Sequence, residues 1–269
     1  MRKTELTPLP ADHLKGKIYF VSDFHFGIPD YASSLEREKK LIQWLEEVRK
    51  DADEIYMMGD LFDFWFEYKT VIPKGFTRFM GKLAEITDTG IPIHLFRGNH
   101  DIWAFSYLRD ELGLILHRDP EIRQWNGKRF YLAHGDGLGP GDKGYKFLKQ
   151  VFEFPLNQWL YRWLHPDIGS WLGLYFSKRS KYAHQTREIK NADVINIPTK
   201  RLYQYSHHIL ESDPSIDYFI FGHHHLPIHL KIGEKAHFFL IGDWITNYSY
   251  VVFDGKEVEL KYFQPKIKG

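Results

Sequence analysis

The sequence of 269 residues contains no cysteine, which excludes disulfides, thiolate catalysis and structural zinc sites with cysteine ligands. The absence of cysteine fits a reducing compartment, and we expect a cytoplasmic protein. No excess of one charge is present either, because 36 Lys and Arg residues face 35 Asp and Glu residues. This balance gives no electrostatic basis for general binding to nucleic acids.

Long apolar segments are also missing. Residues 1–16 are polar and contain proline, so we expect no signal peptide. No apolar run approaches the length of about 20 residues that crosses a bilayer, so we expect a protein that is soluble or lies on a membrane surface. The chain is nevertheless 43% hydrophobic and 17% aromatic, which is enough to bury a sizeable core.

Five apolar runs of strand length end in aspartate, asparagine or histidine. These polar endings are Ser22-Asp23-Phe24-His25, Gly59-Asp60-Leu61-Phe62-Asp63, Gly98-Asn99-His100-Asp101, Ala133-His134-Gly135-Asp136 and Gly222-His223-His224-His225. Helical patterns separate the first three runs, which is typical of a parallel sheet with helical crossovers. Ligands bind beyond the carboxyl ends of the strands in such sheets, so we expect the polar endings to form one site.

Two helical segments have predicted features of their own. Ser33 and Glu36 resemble a capping box at the start of a helix that ends at about Lys50. Residues 143–182 are rich in bulky aromatic and basic side chains, and we expect two or three short helices with breaks near Pro155 and at His165-Pro166. The sequence therefore predicts a core of residues 17–142 and 183–265, interrupted by a helical insertion at residues 143–182.

Carboxylate oxygens and imidazole nitrogens are the ligands of hard and borderline divalent metal ions. A single Asp or His after a strand is usually a turn residue or a helix cap, but five such endings in one chain favour a metal site. Seven side chains are candidate ligands: Asp23, His25, Asp60, Asn99, His134, His223 and His225. Seven ligands are too many for one ion and suit two ions, with Asp60 as the candidate bridge.

Neighbouring polar residues have other interpretations. Asp63 is either a residue that supports the ligands or an ordinary loop residue, and the sequence does not decide between the two. We expect His224 to point away from its neighbours and Asp136 to stabilise its loop. His207 and His208 lie in a helical stretch and are expected at the surface.

The ordered motifs D-x-H, G-D-x-x-D, G-N-H-D, G-H and G-H-x-H resemble those of the calcineurin-like metallophosphoesterases, over about residues 17–245. The resemblance implies an α/β fold with four layers, α-β-β-α. It implies two divalent ions, with Mn²⁺ expected and Fe or Zn as alternatives, bound by Asp23, His25, Asp60 and His225 and by Asp60, Asn99, His134 and His223. It also implies that His100 acts at the phosphate, as a general acid or a charge stabiliser, and that Asp101 orients His100.

Narrower features resemble the UDP-2,3-diacylglucosamine pyrophosphohydrolases of lipid A synthesis. They are residues 58–65, the stretch from His134 through Tyr145 to Ser177-Lys178, and residues 222–227 with 240–244. The resemblance implies attack of water at the α-phosphorus, release of UMP and 2,3-diacylglucosamine 1-phosphate, and an insertion that forms a lid over the acyl chains. The sequence departs from that branch at His100, where the branch carries arginine.

Substrate contacts follow from the same resemblance. Asn99 and Tyr145 are expected to contact the substrate, and Lys178, Arg179 and Lys181 lie beside the aromatic insertion. Basic side chains next to apolar helices suit a substrate with phosphates and acyl chains, and they also suit the anionic surface of the inner membrane. The alternative is that the aromatic side chains only pack the insertion onto the core.

Two other functions remain open at this point. One is a different calcineurin-like phosphoesterase that acts on a nucleotide or a soluble phosphoester without an acyl-chain requirement. The other is a non-catalytic metal-binding scaffold that uses the aromatic insertion to bind a partner. The presence of all seven expected ligands argues against the scaffold.

Overall fold

The computed structural model describes residues 14–190 and 197–264, and within them the side chains of residues 14–178 and 201–264. The first sheet contains six strands: β1 (Lys17–Val21), β2 (Ala52–Met57), β3 (Ile93–Phe96), β4 (Ile115–His117), β10 (Ser249–Phe253) and β11 (Val258–Tyr262). The second sheet contains five strands: β5 (Glu121–Trp125), β6 (Lys128–Ala133), β7 (Tyr218–Phe221), β8 (Ile228–Ile232) and β9 (Ala236–Leu240).

Seven helices are described between and around these strands: α1 (Tyr31–Val48), α2 (Thr77–Asp88), α3 (Tyr107–Asp110), α4 (Lys143–Glu153), α5 (Pro155–Arg162), α6 (Pro166–Lys190) and α7 (Ile197–Ser212). The first sheet has the order β11-β10-β1-β2-β3-β4, in which β1 to β4 are parallel. The second has the order β5-β6-β7-β9-β8, in which β6, β7 and β9 are parallel. Each sheet therefore has a parallel centre and at least one antiparallel edge.

Both faces of the first sheet are buried because side chains alternate along β1. Ile18 and Phe20 point into the apolar layer between the two sheets. Tyr19 and Val21 point to the opposite face and pack against α1 and α2. On the far side of the second sheet, Leu202 of α7 belongs to a third buried cluster. The predicted four-layer α-β-β-α fold is confirmed.

The start of α1 differs from the prediction. The N-cap residue is Asp30, whose Oδ1 accepts a hydrogen bond of 2.9 Å from the backbone N–H of Ser33. Glu36 does not close a capping box but pairs with Lys39 at 2.7 Å. The prediction of a Ser33–Glu36 capping box is wrong, because an aspartate three residues earlier provides the acceptor for the first free N–H groups.

The insertion has the predicted breaks. α4 ends before Pro155 and α5 ends before His165-Pro166. Each proline is the first residue of the next helix, a position where the backbone N–H has no partner within the helix and its absence costs nothing. α6 continues to Lys190, past the predicted end of the insertion at residue 182. Much of the apolar surface of α4, α5 and α6 is open to solvent, through Phe147, Phe154, Trp159, Trp163, Trp171 and Phe176 among others.

Within the described residues, none of the helices combines the length and the apolar character needed to cross a bilayer.

Candidate active site

The polar endings of five parallel strands meet at one edge of the two sheets. Asp23 and His25 follow β1, and Asp60 follows β2. A hydrogen bond of 2.9 Å from the backbone N–H of His223 to Asp23 Oδ2 joins the two sheets at this edge. The expected meeting of the strand ends is therefore present in the structure, and all seven candidate ligands lie there.

A first cluster of potential ligands combines Asp23, His25 and His225. The Nε2 atoms of His25 and His225 lie 3.7 Å and 3.8 Å from the same oxygen, Asp23 Oδ1. Asp23 Oδ1 is buried and has no hydrogen-bond partner among the described residues. A buried carboxylate oxygen without a hydrogen bond is costly, and a bound cation between these three atoms would compensate for that cost.

A second cluster combines Asp60, His134 and His223. His134 Nε2 lies 3.4 Å from Asp60 Oδ2 and 3.4 Å from Asn99 Oδ1. The other ring nitrogen of His134 bonds to the carbonyl oxygen of Met58 at 2.6 Å, and a carbonyl can only accept. The proton of a neutral His134 therefore sits on Nδ1, and Nε2 presents a lone pair to the cluster.

Asp60 connects the two clusters. Its Oδ2 atom lies 3.7 Å from His25 Nε2 and 3.4 Å from His134 Nε2, while Oδ1 accepts a hydrogen bond of 2.9 Å from the backbone N–H of His100. Burial raises the pKa of Asp60, but the positive charge that His134 and His100 carry when protonated outweighs burial and holds that pKa well below its usual range. Asp60 is thus an ionised carboxylate placed where a bridging ligand is expected.

The backbone at this edge takes an unusual conformation. Asp23, His25, Asp60 and His223 have φ angles of 59°, 45°, 56° and 66°, in the left-handed region. This conformation costs a residue with a Cβ about 1–2 kcal/mol, so surrounding contacts must hold each of the four in place. The flanking glycines permit those contacts, since a Cβ at Gly98 would lie 2.6 Å from the backbone nitrogen of Asp60.

His100 and its neighbour Asp101 each make a hydrogen bond to other parts of the site. His100 Nδ1 bonds to the backbone carbonyl oxygen of Asp63 at 2.7 Å. The carboxylate of Asp101 is fully buried and accepts hydrogen bonds from the backbone N–H groups of Gly98 at 2.6 Å and Leu61 at 2.8 Å. Asp63 thus contacts the ring of His100 directly and Asp101 ties two backbone loops together, while an orienting role of Asp101 toward His100 stays a prediction.

Asp63, which the sequence left undecided, belongs to the site. Its side chain is buried, and Oδ1 lies 3.5 Å from His25 Nδ1. Oδ2 accepts a hydrogen bond of 2.8 Å from the hydroxyl of Ser177 on α6. Asp63 therefore contacts the ring nitrogen of His25 that faces away from Asp23, and it also contacts the insertion.

Asp243 is a site residue that lies in the stretch 240–244 of the family resemblance but received no role from the sequence. Its Oδ2 lies 3.2 Å from His225 Nδ1, and its Oδ1 accepts bonds from the N–H groups of the turn that follows. Burial raises the pKa of Asp243, but the bond from His225 and those from the backbone N–H groups of Asn247 and Thr246 together outweigh burial and lower that pKa to about 2. Gly242-Asp243 follows β9 as Gly59-Asp60 follows β2, so the same strand-ending pattern could have identified it.

The predicted substrate contacts lie in different environments. The hydroxyl of Tyr145 donates to Asp136 Oδ2 at 2.6 Å, and Lys149 pairs with the same oxygen at 2.8 Å. Asp136 therefore attaches α4 to the loop after β6. Lys178 is exposed on α6, whereas the side chains of Arg179 and Lys181 lie outside the described residues.

The sequence profile of the calcineurin-like phosphoesterases matches residues 16–227. The chain belongs to the calcineurin-like phosphoesterase family. This membership confirms the predicted family and the predicted class of metal-dependent hydrolase, since members of the family use divalent metal ions. The two ligand clusters, which Asp60 connects, lie within the matched region.

The chain is also similar to individual proteins whose names state a substrate or a type of reaction. A UDP-2,3-diacylglucosamine hydrolase from Porphyromonas gingivalis is 38% identical over 256 residues, which cover 92% of this chain and 98% of the relative. An enzyme of the same name from Pseudomonas fluorescens is 29% identical over 72% of this chain and 75% of the relative. Among solved structures, a dimetal phosphatase from Danio rerio is 13% identical with a TM-score of 0.46, and the match covers 91% of this chain and 95% of that one.

Proposed function

We propose that this protein hydrolyses the pyrophosphate of UDP-2,3-diacylglucosamine to UMP and 2,3-diacylglucosamine 1-phosphate. The observation that carries the proposal is a pair of ligand clusters, connected by Asp60, directly beside a helical insertion with an exposed apolar surface. The names of the relatives at 38% and 29% identity support the same substrate.

The residues present fit two divalent ions. In this proposal one ion is held by Asp23, His25, Asp60 and His225, and the other by Asp60, Asn99, His134 and His223. The partnerless Asp23 Oδ1 and the position of Asp60 Oδ2 between two imidazoles support this assignment. We propose Mn²⁺, because the set of carboxylate, amide and imidazole donors suits it.

When bound, divalent ions supply Lewis-acid polarisation of the phosphoryl group and acidify the attacking water. The chain itself positions His100 beside that centre, with its ring edge-on to His25 at 4.7 Å between ring centroids. Because Nδ1 of His100 donates to the carbonyl oxygen of Asp63, the ring has a defined orientation and tautomer. We propose that its Nε2 edge meets the phosphate, where a protonated ring stabilises negative charge or protonates the leaving group.

The insertion recognises the lipid part of the substrate in this proposal. α4 and α5 have no buried residues, although they carry Phe147 and Trp159 and are joined by Phe154. An apolar surface of this kind is stabilised when acyl chains or a membrane cover it. We propose that the polar part of the substrate is contacted by Tyr145, Lys178, Arg179 and Lys181. We also propose that the exposed apolar surface of the insertion rests on the cytoplasmic side of the inner membrane. Recovery of all the protein in the supernatant after sedimentation with anionic phospholipid vesicles would contradict the membrane contact.

The decisive experiment compares three substrates with added Mn²⁺: UDP-2,3-diacylglucosamine, a UDP-sugar without acyl chains, and an aryl phosphate ester. We expect rapid release of UMP from the acylated substrate, slow turnover of the other two, and loss of activity on chelation. Equal or better turnover of the small substrates would contradict the lipid substrate. It would instead support a phosphoesterase of soluble esters, which the proton-donating His100 also suits.

A further inference from the structure

One face of α6 carries only small residues where it meets the loop that follows β2. Gly169, Gly173 and Ser177 are spaced four residues apart and therefore lie along one side of the helix. A Cβ at Gly173 would overlap the ring of Phe64, and a Cβ at Gly169 would overlap the hydroxyl of Tyr68. The backbone of α6 thus lies closer to this loop than larger side chains would allow.

Ser177 extends this contact into the active site. Its side chain is buried, its hydroxyl donates to Asp63 Oδ2 at 2.8 Å, and its Oγ lies 3.4 Å from His100 Nδ1. The backbone oxygen of Asp63 accepts from His100 Nδ1 at 2.7 Å, and Oδ1 of Asp63 lies 3.5 Å from His25 Nδ1. Asp63 therefore contacts the insertion with one oxygen and two histidines of the site with the others.

We propose that Ser177 is a positioning residue, which orients His100 and His25 through Asp63 and so makes the packing of α6 part of the catalytic apparatus. The inference rests on the proposed phosphohydrolase function. Its physical basis is that contacts at both carboxylate oxygens restrict rotation of the Asp63 side chain, and loss of the Ser177 hydroxyl removes the hydrogen bond at Oδ2. A substrate that moves α6 on binding would therefore change the hydrogen bond between Ser177 and Asp63.

The kinetic test compares Ser177→Ala with the conservative Ser177→Thr. We expect kcat of Ser177→Ala to fall by about 10- to 100-fold, with KM within about twofold of the wild type, and Ser177→Thr to recover most of the loss. The matched control is Ser206→Ala, because Ser206 is also a buried helical serine but donates only to Leu202 of its own helix. The control should keep the wild-type kcat, and thermal unfolding should show that all variants are folded.

The choice of substrates separates this inference from the proposed function. An orienting role lowers kcat for an aryl phosphate ester as well as for the acylated UDP-sugar. A direct contact of Ser177 with the UDP-sugar would raise KM for that substrate alone and would overturn the positioning role. If the wild type does not cleave the UDP-sugar, the proposed substrate fails, and the comparison of Ser177 variants with the aryl ester still decides the positioning role.

A second readout does not depend on turnover. In ¹⁵N-labelled histidine spectra recorded with diamagnetic Mg²⁺, the ring of His100 should show a protonated Nδ1 in the wild type and in Ser177→Thr. The His100 signals should shift or broaden in Ser177→Ala, and also in Gly173→Val, which pushes α6 away from Phe64 while retaining the hydroxyl. Unchanged His100 signals or an unchanged kcat in folded Ser177→Ala would overturn the proposal.

Discussion

The edge of the core that carries the ligands and the helical insertion beside it are built in opposite ways. At the core edge, Asp23, His25, Asp60 and Asp101 are almost completely buried, and hydrogen bonds hold the loops that carry them. In the insertion, aromatic side chains as large as Trp163 and Trp171 are 75% and 64% exposed. The comparison indicates that the core edge is organised for fixed geometry, whereas the insertion offers apolar surface to something outside the chain.

The energetics of the two regions agree with this difference. The left-handed backbone of four potential ligands is unfavourable, and only a rigid environment maintains it. Exposed aromatic surface is unfavourable for another reason, because each Å² left in water forgoes roughly 25 cal/mol of burial free energy. Strain is retained where chemistry needs an exact placement of charge, and exposure is retained where a ligand provides the burial.

The largest expected effect comes from breaking the core edge at its shared ligand. Asp60→Ala removes the carboxylate that lies within 3.7 Å of both His25 and His134 Nε2. We expect kcat to fall by more than about a thousandfold, because both metal sites lose a ligand. Isothermal titration with Mn²⁺ should show weaker binding at both sites. Activity of Asp60→Ala near that of the wild type would contradict the assignment of two metal sites.

A smaller effect is expected from the insertion. Replacing Trp163 and Trp171 together with serine should lower kcat/KM for the acylated substrate by about tenfold, mainly through KM, because apolar contact with the substrate is lost. Turnover of an aryl phosphate ester should not change. Tyr31→Ser is a suitable control, since Tyr31 is 73% exposed and lies at the start of α1, outside the insertion. An equal loss with both substrates would mean that the tryptophans support the fold rather than the substrate.

The smallest effect on turnover is expected at a buried network away from both regions. Glu54 Oε2 accepts a hydrogen bond of 2.6 Å from Tyr56 and lies 3.1 Å from His94 Nε2. Burial raises the pKa of Glu54, but the bonds from His94 and Tyr56 outweigh burial and lower that pKa to about 2. A carboxylate with a lowered pKa in the folded state stabilises the fold above its unfolded pKa of about 4.5, and this stabilisation is lost as the pH falls toward 2.

Glu54→Gln should therefore leave kcat unchanged and lower the free energy of unfolding at pH 7 by on the order of 2 kcal/mol. Urea unfolding from pH 7 down to pH 3 should show the difference from the wild type shrinking as the pH drops below about 4.5. A difference that stays constant over this range would mean that the charge of Glu54 does not contribute to stability.

The seven candidate ligands could be predicted from the sequence because they follow apolar strands in short motifs. The strand endings at Asp23, Asp60 and His134 can be recognised from local pattern alone, and the confirmed four-layer fold brings them together. Shorter and more polar elements were missed, such as β5, whose sequence Glu-Ile-Arg-Gln-Trp is mostly half-buried or exposed. The missed cap at Asp30 has a similar cause, because two polar residues compete for the start of one helix.

Residue types and their spacing along the chain were sufficient to identify the family, to predict a parallel sheet near the site and to name the seven candidate ligands. The contacts that orient the side chains of the site became known from the tertiary structure. Asp63 bonds His100, Asp243 supports His225, and Ser177 reaches Asp63 from α6. Ser177 and Asp63 are 114 residues apart, and such contacts arise from close packing of helix against loop, which local periodicity does not encode.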